Sequence, residues 1–193
     1  MNLSRAAVLA HKKAGLLERN ISHTFRPSEY DSQVAAQLLK HEGTHYGLEY
    51  FRATHKGLTS YSYWFLLSTL WISYTGHTDI AVWRELFSSP RKGREEGLMK
   101  PDELRAFRKL SDPLMLYRAH RAGEWDWLSY TTDPQVAATF ALRKGMDAIY
   151  EYTAPRSAAM ALFLRRGEEE ILLPDLQAVS LVRKIAVIVG GES

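Results

Sequence analysis

Two groups of side chains in this sequence have the types and order that chemistry needs. The first is His41-Glu42-Gly43-Thr44-His45, a literal H-E-x-x-H. On one continuous helix the two histidines share a face and can hold zinc, with Glu42 as general base for a metal-bound water. The context is poor, because Gly43 and Thr44 weaken a helix where the motif needs one. A third ligand is also required. The longer zinc-protease pattern wants a histidine where this chain has Phe51, and His55 is the nearest alternative. A helix end carrying two solvated histidines is the plainer reading.

The second group is spread along the C-terminal part and has three pieces in order. Arg118 stands in the apolar run Leu116-Tyr117-Arg118-Ala119. Ser129-Tyr130-Thr131 runs into Thr132-Asp133-Pro134, with Ala137, Ala138 and Phe140 following. Glu168-Glu169-Glu170 opens the stretch Ile171-Leu172-Leu173-Pro174. Each piece alone has an ordinary structural reading: half of a salt bridge, a plain strand, a solvated turn. The order in which they come, on a pattern of short strands, is more specific than any one of them.

The elements that must position these residues can be read from pattern. Ser32–Leu39 is predicted helical, with Ser28 or Asp31 as its cap. Tyr61–Ser73 reads as a buried helix. Ile80–Phe87 and Pro101–Leu110 read as further helices, the latter with Pro101 in its first turn and acids at its positive end. After Ser111-Asp112-Pro113 the texture changes to strands at Leu114–Ala119, Trp127–Thr132, Ala148–Thr153, Met160–Leu164, Glu169–Leu173 and Val182–Val189. An alanine-rich helix, Gln135–Arg143, interrupts them. This is an α+β chain: a mainly helical region over residues 1–112 and a strand-rich core over 113–193, together one compact unit.

Composition narrows the field. The chain has 193 residues, enough to bury a core without covalent staples, and no cysteine. Disulfides, thiolate zinc sites, iron–sulfur clusters and cysteine nucleophiles are thereby excluded. The net charge of +3 is mild, and the excess of cations lies in the first 110 residues, so a nucleic-acid partner is not expected. The start, MNLSRAAVLAHKK, has too short an apolar run for a signal peptide. Gly57–Thr78 lacks Asp, Glu, Lys and Arg but holds His77 and many serines and threonines, which argues for a buried helix and against a membrane span. A soluble, cytoplasmic protein, in its own cell or a host's, is the expectation.

With these residues in view, the stretch Leu114–Val189 resembles the R-S-E class of mono-ADP-ribosyltransferases, the arginine/cholera-type enzymes of bacterial toxins, phages and vertebrate cell surfaces. Arg118 matches the arginine of that family's first core strand. Ser129-Tyr130-Thr131 matches its Ser-Thr-Ser strand, with Tyr130 and Thr131 replacing the usual Thr and Ser. Glu168-Glu169-Glu170 with Ile171-Leu172-Leu173-Pro174 matches its Glu-x-Glu motif. Residues 1–110 are not matched by motif.

The resemblance implies a core of two packed sheets around an NAD cleft, with NAD as co-substrate and no metal. It implies rupture of the nicotinamide–ribose bond through an oxocarbenium-like transition state, with ADP-ribose passing to a host protein. By motif position Glu170 stabilises the sugar cation. Glu168, two residues earlier and on the same side of an extended chain, orients or deprotonates the acceptor. Glu169 points away and is expected to be dispensable. Arg118 binds the pyrophosphate or adjoining ribose. Ser129 holds the nicotinamide ribose and Glu170, the main chain at Ala119 bonds the carboxamide, and Thr131 keeps the second hydroxyl. Trp125, Trp127, Tyr150, Tyr152 and Phe163 are candidates to stack on nicotinamide. Glu-x-Glu, as opposed to Gln-x-Glu, implies an arginine acceptor. The other readings weighed are NAD hydrolysis at the same site, a silent transferase-fold binding or inhibitor protein, and a zinc metallopeptidase at His41-Glu42-x-x-His45.

Overall fold

A computed structural model describes residues 25–76, 79–124 and 126–187. It is a mixed α+β protein with seven α-helices among the described residues and one six-stranded antiparallel sheet. The chain divides into two compact units, 1–105 and 106–193. The boundary falls inside a helix, where the sequence reading set it at residue 112.

The first unit is helical. Helix α1 (Glu29–Lys40) starts at a reciprocal capping box: Ser28 Oγ accepts from Asp31 N, and the Asp31 carboxylate accepts from Ser28 N. The buried Asp31 also accepts from Thr59 N and Thr59 Oγ1, each at 2.9 Å, which ties α1 to the start of α3 (Ser60–Ser73). Between them α2 (His45–Thr54) was not expected from the sequence; Thr44 caps it and Gly43, at φ +76°, turns the chain into it. Helix α3 is buried on every side over residues 62–68, and Trp64, Leu67 and Tyr63 are fully buried. Helix α4 (Ile80–Phe87) has the predicted bounds and is capped by Asp79. The short α5 (Arg94–Leu98), also unexpected, comes so close to α3 that a Cβ on Gly97 would lie 2.5 Å from Trp64 Cβ. Helix α6 (Pro101–Phe107) ends earlier than predicted.

The second unit is the sheet with one covering helix. Its strands are β1 (Leu114–Arg118), β2 (Ser129–Thr131), β3 (Ala148–Ala154), β4 (Ala161–Phe163), β5 (Glu170–Leu172) and β6 (Ser180–Ala186). Their order is β4-β5-β2-β1-β3-β6. The described strands thus join in one sheet, not two, because β1 pairs on both sides, with β2 and with β3. The two contacts are unequal. β1 and β3 pair along their lengths, whereas β1 and β2 pair only at Tyr117 opposite Thr131. Helix α7 (Pro134–Arg143), capped by Asp133, packs Ala137 and Ala141 against Ala119 and Ile149. The predicted strand at Trp127–Thr132 is shorter, and Trp127 and Leu128, both buried, lie in the approach to it. The last strand begins before Val182, and its predicted end lies outside the described residues.

Candidate active site

The unequal pairing of β1 creates a gap. Just past the Tyr117–Thr131 pair, a cleft of about 260 Å³ is lined by residues of β1, β2, α7 and the turn before β5. Arg118 and Ala119 come from the end of β1, Ser129 and Thr131 from β2, and Glu168 and Glu170 from the turn and the first residue of β5. All six residues singled out from the sequence therefore line one cavity. Lys144, Arg166, Val136, Ala137, Phe140, Tyr117 and Tyr130 complete it.

Arg118 is the most constrained of them. Its Nη1 donates to the Ser129 carbonyl at 2.5 Å, across the place where the strands part. Its guanidinium lies 4.8 Å from the centre of the Trp127 ring, a cation–π distance. Its Nε is buried and finds no hydrogen-bond partner among the described residues. Burial pulls this group below its ordinary pKa, while the Tyr130, Glu124, Tyr152 and Glu170 side chains push the other way. An arginine keeps its charge in either case, so a half-buried cation faces the cleft.

The glutamates reach the cleft differently from the expectation. The segment is not continuously extended: Glu169 has φ +45°, in the left-handed region, and β5 begins only at Glu170. Strand alternation is therefore not what puts Glu168 and Glu170 on one wall; a kinked turn does. That turn is held by β2. Thr131 Oγ1 donates to the Glu168 carbonyl at 2.6 Å, and Thr132 N donates to the Glu169 carbonyl at 3.2 Å. Thr132 Oγ1 donates to the Glu169 carboxylate. Thr131 Oγ1 also accepts from Asp133 N, so its hydroxyl is engaged within the fold. Tyr130 lies buried between the Trp127 and Tyr152 rings, edge-on to each.

The proposed stacking rings do not line the cleft. Trp127 and Tyr150 instead lie on opposite sides of His120, with centroid distances of 4.7 and 4.1 Å. Tyr152 donates to or accepts from His120 Nε2 at 2.7 Å. Phe163 is buried in β4, with Arg165 over its ring. Trp125 lies outside the described residues. The aromatic residues that line the cleft are Tyr117, Tyr130 and Phe140, of which Phe140 is the exposed one. Lys144 and Arg166 were also missed. Each sits in a turn, where a lone basic residue carries no sequence signal of its own.

The H-E-x-x-H segment is split. His41 ends α1, Gly43 is left-handed, and His45 is the first residue of α2. The two histidines are therefore not successive turns of one helix, which is the arrangement the zinc motif requires. His41 packs on Tyr46, and His45 lies near Glu49 and Tyr74.

No protein-family model, curated protein or solved structure matches this chain. Among the described residues no helix is long and apolar enough to cross a membrane.

Proposed function

We propose that this chain is an NAD-dependent mono-ADP-ribosyltransferase that modifies a protein, with an arginine side chain as acceptor. The observation that carries the reading is the convergence of Arg118, Ser129, Glu168 and Glu170, from three separate parts of the sequence, on one cleft. The residues suit a dinucleotide. Three cations, Arg118, Lys144 and Arg166, share the cavity with two carboxylates, a mixture that matches a diphosphate joined to a cationic ring. The Nε of Arg118 is a donor lacking an acceptor among the described residues.

Bound NAD supplies a ribose carbon that turns cationic as its bond to nicotinamide breaks. In this reading Glu170, half-buried on the cleft wall, provides the opposing charge. Glu168 orients the acceptor and takes its proton. Arg118 holds phosphate oxygens, and its bond to the Ser129 carbonyl keeps the two strand ends together. Ser129 and the Ala119 main chain are the neutral groups available to the ribose and the carboxamide. Thr131 acts on the turn that carries the glutamates.

Incubating the purified chain with labelled NAD and host lysate should label a discrete protein band. Glu170→Gln should lower that labelling by about 100-fold or more with the fold retained. Unchanged labelling in that variant would remove Glu170 from the chemistry. Nicotinamide release with no labelled protein would assign hydrolysis in place of transfer.

A further inference from the structure

Glu169 is the middle residue of the acidic triplet and the only one that does not line the cleft. It is also the only non-glycine residue at positive φ among the described residues. Side chains other than glycine, asparagine and aspartate seldom adopt that conformation, so something must hold the residue there. The hydrogen bonds name the holder. Thr132 grips Glu169 twice, main chain to main chain and hydroxyl to carboxylate, and Thr131 grips the preceding carbonyl. The exposed turn Arg165-Arg166-Gly167 lies immediately before, with Gly167 at φ +68°.

We infer that Glu169 is a positioning residue: its carboxylate, clasped by the Thr132 hydroxyl, fastens the 165–169 turn to the end of β2 and thereby sets Glu168 and Glu170 on the cleft wall. The latch stands on these contacts alone; its effect on turnover rests on the function proposed above. This reverses the expectation that the middle glutamate is dispensable.

The test is a double-mutant cycle in the full chain, using Glu169→Ala and Thr132→Val, with Glu169→Gln as the conservative variant. Ala at 169 keeps the backbone demand and removes only the carboxylate. The first readout needs no activity: the rate of tryptic cleavage after Arg166, followed by mass spectrometry. Each single variant should be cut about fivefold faster than wild type, the value for one lost hydrogen bond, and the double variant no faster than either. Glu169→Gln, whose amide oxygen can still accept, should stay near the wild-type rate. Wild-type cleavage in Glu169→Ala, or multiplicative effects in the double variant, overturns the latch. The second readout is NAD turnover. Both single variants should lose about fivefold in kcat with KM for NAD within about twofold. A loosened turn with unchanged kcat overturns the positioning role. A wild-type chain that turns over no NAD sinks the proposed function, and the tryptic cycle then decides the latch by itself.

Discussion

Phe140 is a partly exposed aromatic ring on the cleft wall, one helical turn beyond Ala137. Its place makes it the residue for a planar ligand group to cover. On the function proposed above, Phe140→Ala should raise KM for NAD by about threefold to tenfold, the range for one lost aromatic contact, while Tyr150→Phe should not. Steady-state kinetics on the two variants checks this. The sequence could not make that choice. It offers rings on strands and loops alike, and which ring is already spent on a neighbour depends on contacts such as the His120 stack. Arg118 was legible through its company: alone it reads as half of a salt bridge, and it gains meaning only in order with Ser129-Tyr130-Thr131 and Glu168-Glu169-Glu170. Lys144 was not, because a basic residue at a helix end is ordinary.

Among the elements, those fixed by local chemistry were read well. Asp133-Pro134 before the alanine-rich helix is a start signal whose effect needs no tertiary partner. Helix α5 is the opposite case. Its Gly97 reads as a helix weakener, yet it is what lets the backbone approach α3. Gly97→Ala should therefore destabilise the protein by about 1–3 kcal/mol despite raising local helix propensity, because the added methyl meets Trp64 Cβ and the Tyr61 carbonyl. Urea denaturation would measure it, and a gain in stability would mean that the two helices can part without loss. Glu169 illustrates the same limit in the strand region. The alternation rule correctly put Glu168 and Glu170 together but for the wrong reason, since one left-handed residue replaces the extended segment.

At the scale of the whole molecule, buried phenols give the protein a pH signature. Burial raises the pKa of Tyr63 in the helical unit and of Tyr117, Tyr130 and Tyr152 in the sheet unit, with Tyr152 pushed up to about 12. A phenol whose folded pKa exceeds the unfolded value of 10.0 binds its proton more tightly in the native state. Its contribution is complete below pH 10 and drains away as the pH climbs through the folded value. The denaturation midpoint should accordingly decline between about pH 10 and 12, and Tyr152→Phe should make that decline shallower. An equally steep decline in the variant would assign the loss to other groups. The unequal pairing of β1 has a mechanical meaning of its own. Its junction with β2 is a button, not a seam: β4, β5 and β2 form one leaf, and β1, β3 and β6 the other. Arg118 sits on one leaf, and Glu168 and Glu170 on the other. The bond from Arg118 to the Ser129 carbonyl crosses the same junction, so a side chain of the cleft does part of the stitching that the main chain leaves undone.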